Sequence, residues 1–343
     1  QDLHRLRQAF QRPETIVVHE THWTATARHA DIVLPAAITL ERNDIGCSGN
    51  ARHVFAMRQA LPALADARSD FAIFGALAER LGTAAAFTEG RDEMAWLEHL
   101  YEAWRRALPP DTGAPPEFGQ FWHDGVLTLP EPTRAAHVFL AAFRADPAAH
   151  PLATPSGRIE IVSETVRSFG YDDCPGMPVW RAPPEWHQAE EAATYPLVLL
   201  ANNPATRLHS QFDPGPVSAE SKVAGREPMR LHPDDAAARG INHGDVVRVF
   251  NARGALLAGA VISELVKPGV VQLSTGAWLD WQLLNEGDAR QTCVHGNPNV
   301  LTADCATSRL SQGCVGQITL VQVVRQDGAA PAQRAWEAPG EVA

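Results

Sequence analysis

The amino-acid sequence predicts a two-part chain, an α/β segment followed by a β-rich segment that closes as a compact barrel. Over residues 1–82, short β-branched runs alternate with helical periodicity. From residue 195 onward the period shortens to that of strands, with turn residues between them. Between the two, residues 83–194 are rich in Ala, Pro and Trp and keep no clean period, so this stretch is expected to be insertion and linker.

In chain order, residues 15–18 are a β-branched run, 24–30 allow a helical turn or two, and 31–34 are a second strand closed by Pro35. Ser69 and Asp70 offer an N-cap to a helix with Phe71, Phe74, Leu77 and Leu81 at near 3-4 spacing, and Gly82 ends it. This half reads as the end of a doubly wound sheet. Residues 93–108 form an amphipathic helix, whereas 111–120 and 181–185 read as Pro- or Gly-containing connections. Residues 156–161 resemble a turn leading into a strand. Residues 195–201 are a short buried strand. A helix over 233–239 stops at Gly240, and strands at 246–250 and 255–262 form a hairpin across the turn at 251–254. Strands at 270–273 and 318–324 complete a barrel over 195–326. The Ala-, Pro- and Glu-rich tail, 327–343, is expected to fray.

A chain of 343 residues is long for one core, and its 45% hydrophobic and 20% charged residues exclude disorder throughout. No window approaches the roughly 18 uninterrupted apolar residues of a membrane helix, and the first residues lack a basic-then-apolar secretory pattern. A formal net charge of −11 argues against nucleic acid as the main partner, because a phosphate-binding surface shows as a basic excess. Among 29 basic residues only Lys222 and Lys267 are lysines, so a phosphate would be held mostly by arginine forks and backbone amides. The five cysteines are scattered without a Cys-x-x-Cys pair, which gives no zinc ribbon or iron–sulfur cluster and suits reduced thiols in the cytoplasm.

No phosphate loop, dinucleotide-binding glycine fingerprint, nucleophile elbow or His-Glu-x-x-His motif is present. What remains are polar runs without a nucleophile, at 21–29, 41–44, 201–211 and 295–317. The densest is Asn202-Asn203-Pro204-Ala205-Thr206-Arg207-Leu208-His209-Ser210-Gln211, directly after an apolar strand. Such a run at a strand end suits recognition of a large polar ligand.

The segments His22-Trp23-Thr24-Ala25-Thr26-Ala27-Arg28-His29-Ala30-Asp31-Ile32-Val33-Leu34-Pro35, Glu41-Arg42-Asn43-Asp44, Arg207-Leu208-His209-Ser210-Gln211, Gly225-Arg226-Glu227-Pro228, Gly244-Asp245-Val246-Val247 and Asn299-Val300-Leu301-Thr302 occur in this order. Together they resemble the C-terminal half of the molybdopterin oxidoreductases of the dimethyl sulfoxide reductase family. Within it they look closest to the S- and N-oxide reductase branch of biotin and methionine sulfoxide reductases. The resemblance covers nearly the whole chain and is weakest over 83–151. It implies a Rossmann-like α/β domain followed by a double-psi β-barrel, a bis-molybdopterin guanine dinucleotide (bis-MGD) cofactor holding one molybdenum, an S- or N-oxide substrate and an electron donor that the sequence does not identify. Family members are much longer, and the serine that ligates molybdenum in this branch lies N-terminal to the matched part. The resemblance therefore implies a fragment with no catalytic residue and no metal ligand of its own, inactive without the N-terminal half, in the cytoplasm or the periplasm. A relative of formate dehydrogenase or nitrate reductase, a non-catalytic cofactor-binding subunit and a truncated product stay open as alternatives.

The same resemblance implies cofactor contacts. Ala201, Asn202, Asn203 and Pro204 would bring backbone and amide groups against a pterin, Arg207 would pair with a diphosphate, and His209, Ser210 and Gln211 would bond pterin and phosphate edges. Arg42 would contact the nucleotide or else form a surface ion pair with Glu41 or Asp44. Asp70 would accept the guanine N1–H and N2–H₂ pair or else serve as an acidic residue at a helix start. His19 and Glu20 follow the first strand, where a doubly wound sheet binds nucleotide. Asn299, Gly316 and Gln317 match the last contacts, with Gln312 a neighbouring candidate. His29 and His295 read as hydrogen-bonded structural histidines. Leu279 stands where the family often has tyrosine, and residues 280–292 align poorly, so substrate preference stays open.

Overall fold

The computed structural model describes residues 1–131, 138–285, 287–313 and 318–339. The chain divides into two compact units, one of residues 17–22 and 30–152, the other of residues 1–16, 23–29 and 153–343. Helix α1 (Leu3–Phe10) opens the second of these; the Asp2 side chain accepts from Arg5 N–H, and Asp2 N–H donates to the Thr302 carbonyl.

In the first unit, β1 (Val17–Glu20) and β2 (Ile32–Pro35) pair in parallel with His19 opposite Leu34. Both expected strands form, one or two residues later than their β-branched cores suggest. The described residues give this pair no third neighbour, so the expected remnant of a doubly wound sheet is not confirmed. The next strands, β3 (Asp44–Cys47), β4 (His53–Met57) and β5 (Val126–Thr128), make a separate antiparallel sheet.

Helix α2 (Asp70–Arg80) starts where expected, because Ser69 Oγ accepts from Ala72 N–H at 3.3 Å. Gly82, at φ +70°, ends it. Its buried face differs from the expected stripe: Ile73 and Ala78 are buried, while Phe74, Leu77 and Leu81 are 49%, 41% and 76% exposed. Spacing identifies an apolar stripe but not the surface that covers it. Phe71 and Phe74 instead lie against Phe87 of α3 (Ala84–Thr88).

Helix α4 (Glu93–Ala107) turns Leu97 and Tyr101 inward, and with α5 (Phe118–Asp124) it packs on β4. Tyr101 stacks on Phe121 at 4.5 Å and donates its hydroxyl to the Pro116 carbonyl at 2.8 Å. Residues expected as insertion therefore share a core with β4, built mostly from aromatics whose spacing follows no simple period. The short α6 (Ala141–Ala145) completes this unit.

In the second unit, residues 156–161 make the expected turn but no strand, and Ile159 and Ile161 stay exposed. Helix α7 (Glu164–Ser168) follows, then β6 (Leu197–Leu200), α8 (Pro216–Glu220), β7 (Pro228–Leu231), α9 (Pro233–Ala237), β8 (Val246–Phe250), β9 (Ala255–Ile262), β10 (Val270–Leu273), β11 (Trp281–Gln282), β12 (Thr292–Cys293) and β13 (Thr319–Arg325). Six of these strands close a ring in the order β6-β10-β7-β9-β8-β13, with β13 returning to β6. The β6–β10 and β7–β9 pairs are parallel and the other four antiparallel. The expected hairpin is the β8–β9 pair, with Phe250 opposite Ala255. Along β7, β8 and β10 every second residue is buried, and Leu231, Val249, Val271 and Leu273 from these strands fill the barrel with Leu199 and Leu256. Strand β9 is buried on both faces, because Val223 lies over Gly259, where a side chain would overlap it.

The tail does not fray over its described length. Arg226, itself buried, donates to the Pro331 carbonyl, Arg334 N–H donates to the Asp280 carboxylate, and Ala335 is fully buried. Composition misses these anchors because most use single backbone groups of the tail, and Ala335 is a small side chain that fills a buried place. No helix among the described residues is long and apolar enough to cross a membrane.

Candidate functional site

Because β6 and β10 run in parallel, the loops that follow them leave the barrel on the same side. They meet there: Thr275 N–H donates to the Asn202 carbonyl at 2.8 Å, and Ser274 Oγ donates to Asn202 Oδ1 at 3.2 Å. Farther along the first loop, His209 and Phe212 take left-handed φ values of +51° and +55°, which fold it back on itself. The His209 carbonyl then rests on Gly276, at φ +92°, where any Cβ would overlap it. Trp278 closes the joint, its indole N–H donating to the Ser210 carbonyl at 2.8 Å and its backbone N–H to Asp213 at 2.9 Å.

Under this joint lies a buried charge cluster. The side chains of Arg207, Asp213, Lys222, Glu227 and His295 are each 5% exposed or less. Lys222 Nζ donates to Asp213 Oδ1 at 2.7 Å and to Glu227 Oε2 at 2.6 Å, Arg207 reaches Glu227 at 2.9 Å, and His295 Nε2 meets Asp213 Oδ2 at 2.8 Å. Two cations face two carboxylates in it. Burial alone would raise the Asp213 pKa, but the His295 hydrogen bond and the Lys222 charge overcome it and hold the carboxyl well below the usual carboxylate range. With Asp213 ionised, His295 Nε2 is the donor, and its buried Nδ1 has no partner among the described residues. The ring of Trp336 stands edge-on to this imidazole at 5.3 Å.

Arg207 is therefore not presented outward as a diphosphate fork would be. Its nitrogens donate to the His209 carbonyl, Ser218 Oγ, Glu227 and the Thr275 carbonyl, at 2.9–3.3 Å. The loop presents other groups instead. Asn203, His209, Ser210 and Gln211 are exposed, and their side chains make no hydrogen bond among the described residues. Asn202 turns its amide to the Asn203 carbonyl and to Ser274, Ala201 is buried, and Pro204 is half-buried, so these three shape the loop.

Asn299 stands in a tight turn, its N–H donating to Asn297 Oδ1 at 3.0 Å and its own Oδ1 accepting from Thr302. Asn297 in turn donates to the Ala277 carbonyl at 2.8 Å, which ties this turn to the joint. Gly316 and Gln317 lie outside the described residues. Asp213, Lys222, Glu227, Gly276 and Asn297 were not foreseen. Their sequence signals were that Lys222 is one of only two lysines, that Glu227 sits in the Gly225-Arg226-Glu227-Pro228 run and that Asn297 lies in the polar run 295–317.

In the first unit the end of β1 meets the start of α2. His19 Nδ1 lies 2.9 Å from Asp70 Oδ1, and the His19 ring packs on Phe74 at 4.9 Å. Asp70 is 68% exposed, and its second oxygen makes no hydrogen bond among the described residues. Glu20 accepts from Thr21 N–H at 2.9 Å. Arg42 pairs with Asp44, the ion-pair alternative. His29 Nδ1 bonds the Ala25 carbonyl at 2.7 Å, a structural role. The described residues hold no group of three or more His, Cys, Asp or Glu placed to bind a metal.

The chain matches the profile of the molydopterin dinucleotide binding domain over residues 197–318 and that of molybdopterin oxidoreductase over residues 1–80. It is 45% identical over 341 residues to the dimethyl sulfoxide/trimethylamine N-oxide reductase of Cereibacter sphaeroides and 46% identical over 340 residues to the biotin sulfoxide reductase of the same organism. It is 41% identical over 347 residues to the trimethylamine-N-oxide reductase of Haemophilus influenzae. These alignments take in 99%, 98% and 100% of the chain but 41%, 44% and 42% of the relatives, so the chain spans less than half of their length. Among solved structures the fold is similar to acetylene hydratase from Pelobacter acetylenicus, with a TM-score of 0.67 and 18% identity over 95% of this chain and 42% of that one.

Proposed function

Because the chain belongs to the molybdopterin oxidoreductases, we propose that its barrel loops and its β1–α2 junction hold parts of a bis-MGD cofactor in the reduction of S- or N-oxides. The family's cofactor is molybdenum with molybdopterin guanine dinucleotide. The residues present fit it. A rigid loop that leaves Asn203, His209, Ser210 and Gln211 exposed and unpartnered among the described residues suits the many polar edges of a pterin and its phosphates. That loop is the observation that carries the reading.

In the first unit, Asp70 suits the guanine edge: one carboxylate oxygen is oriented by His19 and the other is open to accept from a base. Glu20, beside His19, and Asn299, beside the joint, complete the proposed contacts, and Gly316 and Gln317 stay candidates. The double-psi connectivity of the closed barrel belongs to the same reading, supported by its two parallel pairs. When bound, the cofactor would supply two-electron chemistry that removes oxygen from the substrate; this chain's residues bind and orient it. The substrate class is proposed from the relatives named as dimethyl sulfoxide, trimethylamine N-oxide and biotin sulfoxide reductases.

Metal analysis together with acid release of guanosine monophosphate (GMP) tests the cofactor in the purified protein that carries this chain together with the half its relatives have beyond it; two GMP per molybdenum are expected there, and the absence of either overturns it. Oxidation of a reduced viologen dye by dimethyl sulfoxide, trimethylamine N-oxide or biotin sulfoxide tests the substrate class. Turnover of formate or nitrate alone would move the chain to those relatives.

A further inference from the structure

Arg207 is the most basic feature of the loop, yet its side chain is 1% exposed and each of its hydrogen bonds runs inward to the protein. Its bonds reach four segments: the loop itself through His209, α8 through Ser218, the β10 loop through Thr275, and the start of β7 through Glu227. Asp213 also reaches the β10 loop, through Trp278 N–H, and adds Lys222 after α8 and His295 after β12. We propose that Asp213, Lys222, Glu227 and Arg207 are positioning residues, a buried electrostatic joint that sets where residues 202–211 stand relative to residues 274–278.

The geometry argues for positioning over direct contact. A guanidinium whose nitrogens all bond inward would have to break a buried ion pair to reach a ligand, leaving Glu227 with only Lys222. Moving the His209 carbonyl off Gly276 would likewise expose a backbone that only glycine allows so close. The loop's cofactor-facing groups are thus placed by charges that face away from the cofactor. The inference rests on the cofactor reading for what the loop holds, but the joint itself does not.

Hydrogen–deuterium exchange of residues 202–212 and 274–278 in the purified protein, measured beside its molybdenum and GMP content, tests both parts. Asp213→Asn is expected to raise exchange in both segments about tenfold, to leave residues 97–121 unchanged, and to lower molybdenum and GMP together. Should that variant fail to fold, Lys222→Met/Glu227→Gln removes one cation and one anion and is expected to loosen the same two segments. Unchanged exchange in a folded variant overturns the joint. Loss of GMP in Arg207→Ala with exchange at 274–278 unchanged overturns it in favour of direct contact, and raised exchange with full GMP content overturns the link from joint to cofactor. Wild-type protein without molybdenum or GMP, but with the expected exchange response, refutes the cofactor reading and leaves the joint standing.

Discussion

Protonating Asp213 would weaken bonds to Lys222, His295 and the Trp278 backbone at once. Its folded-state pKa is depressed, so the stability it contributes is present above the ordinary carboxylate range and is lost as pH falls through that range toward the folded value. Urea midpoints measured from neutral pH downward are expected to fall more steeply below about pH 4 in wild type than in Asp213→Asn. At neutral pH the same variant is expected to lose about 3 kcal/mol or more, as buried pairs do when one partner goes. Arg42→Ala, which breaks a pair about one-third exposed on each side, is expected to change stability by about 1 kcal/mol or less in a denaturant melt and to leave GMP content unchanged. Asp70→Asn is expected to lower GMP content, because its amide places a donor against guanine donors. The element boundaries that hold His19 and Asp70, a strand end and a helix start, were legible in the sequence, whereas the hydrogen bond between the two was not. The inward turn of Arg207 was not, since its ion-pair partner Glu227 is 20 residues away and nothing local to Arg207 announces it.

At the scale of elements, legibility followed local chemistry. The Ser69 cap, the β8–β9 hairpin and α4 were readable because a capping hydroxyl, a turn and a helical period each act within a few residues. The β3–β4–β5 sheet was not, since β5 joins it from residues 126–128 and no short-range pattern reports that pairing. Which face of α2 is covered also depends on distant surfaces. Fully buried Leu256 sits on β9, where it packs with the barrel core and lies opposite Val249. Leu256→Ala is expected to cost about 2–5 kcal/mol, read as a drop in the urea midpoint with unchanged slope. Gly276→Ala is expected to loosen the joint more than its size suggests, seen as faster exchange at 202–212, because the added methyl meets backbone that cannot yield.

Across the molecule, a formal net charge of −11 without a basic stripe predicts that the chain is not retained on DNA-cellulose at about 0.1 M salt, and retention there would contradict the charge reading. The barrel was readable from periodicity, while the doubly wound sheet was inferred from two strands that gain no further neighbour among the described residues. The six-stranded ring carries a further consequence, for the rate at which the molecule forms. Strand β13 pairs with both β8 and β6, so the ring cannot shut until residues 197–325 are all in place. Each of its parallel pairs also joins distant stretches of chain. Such long loops must be closed before their contacts return any stability, which places refolding of this unit toward milliseconds to seconds rather than microseconds. Until β13 arrives, the outer edges of β6 and β8 are the ones left open to wrong partners.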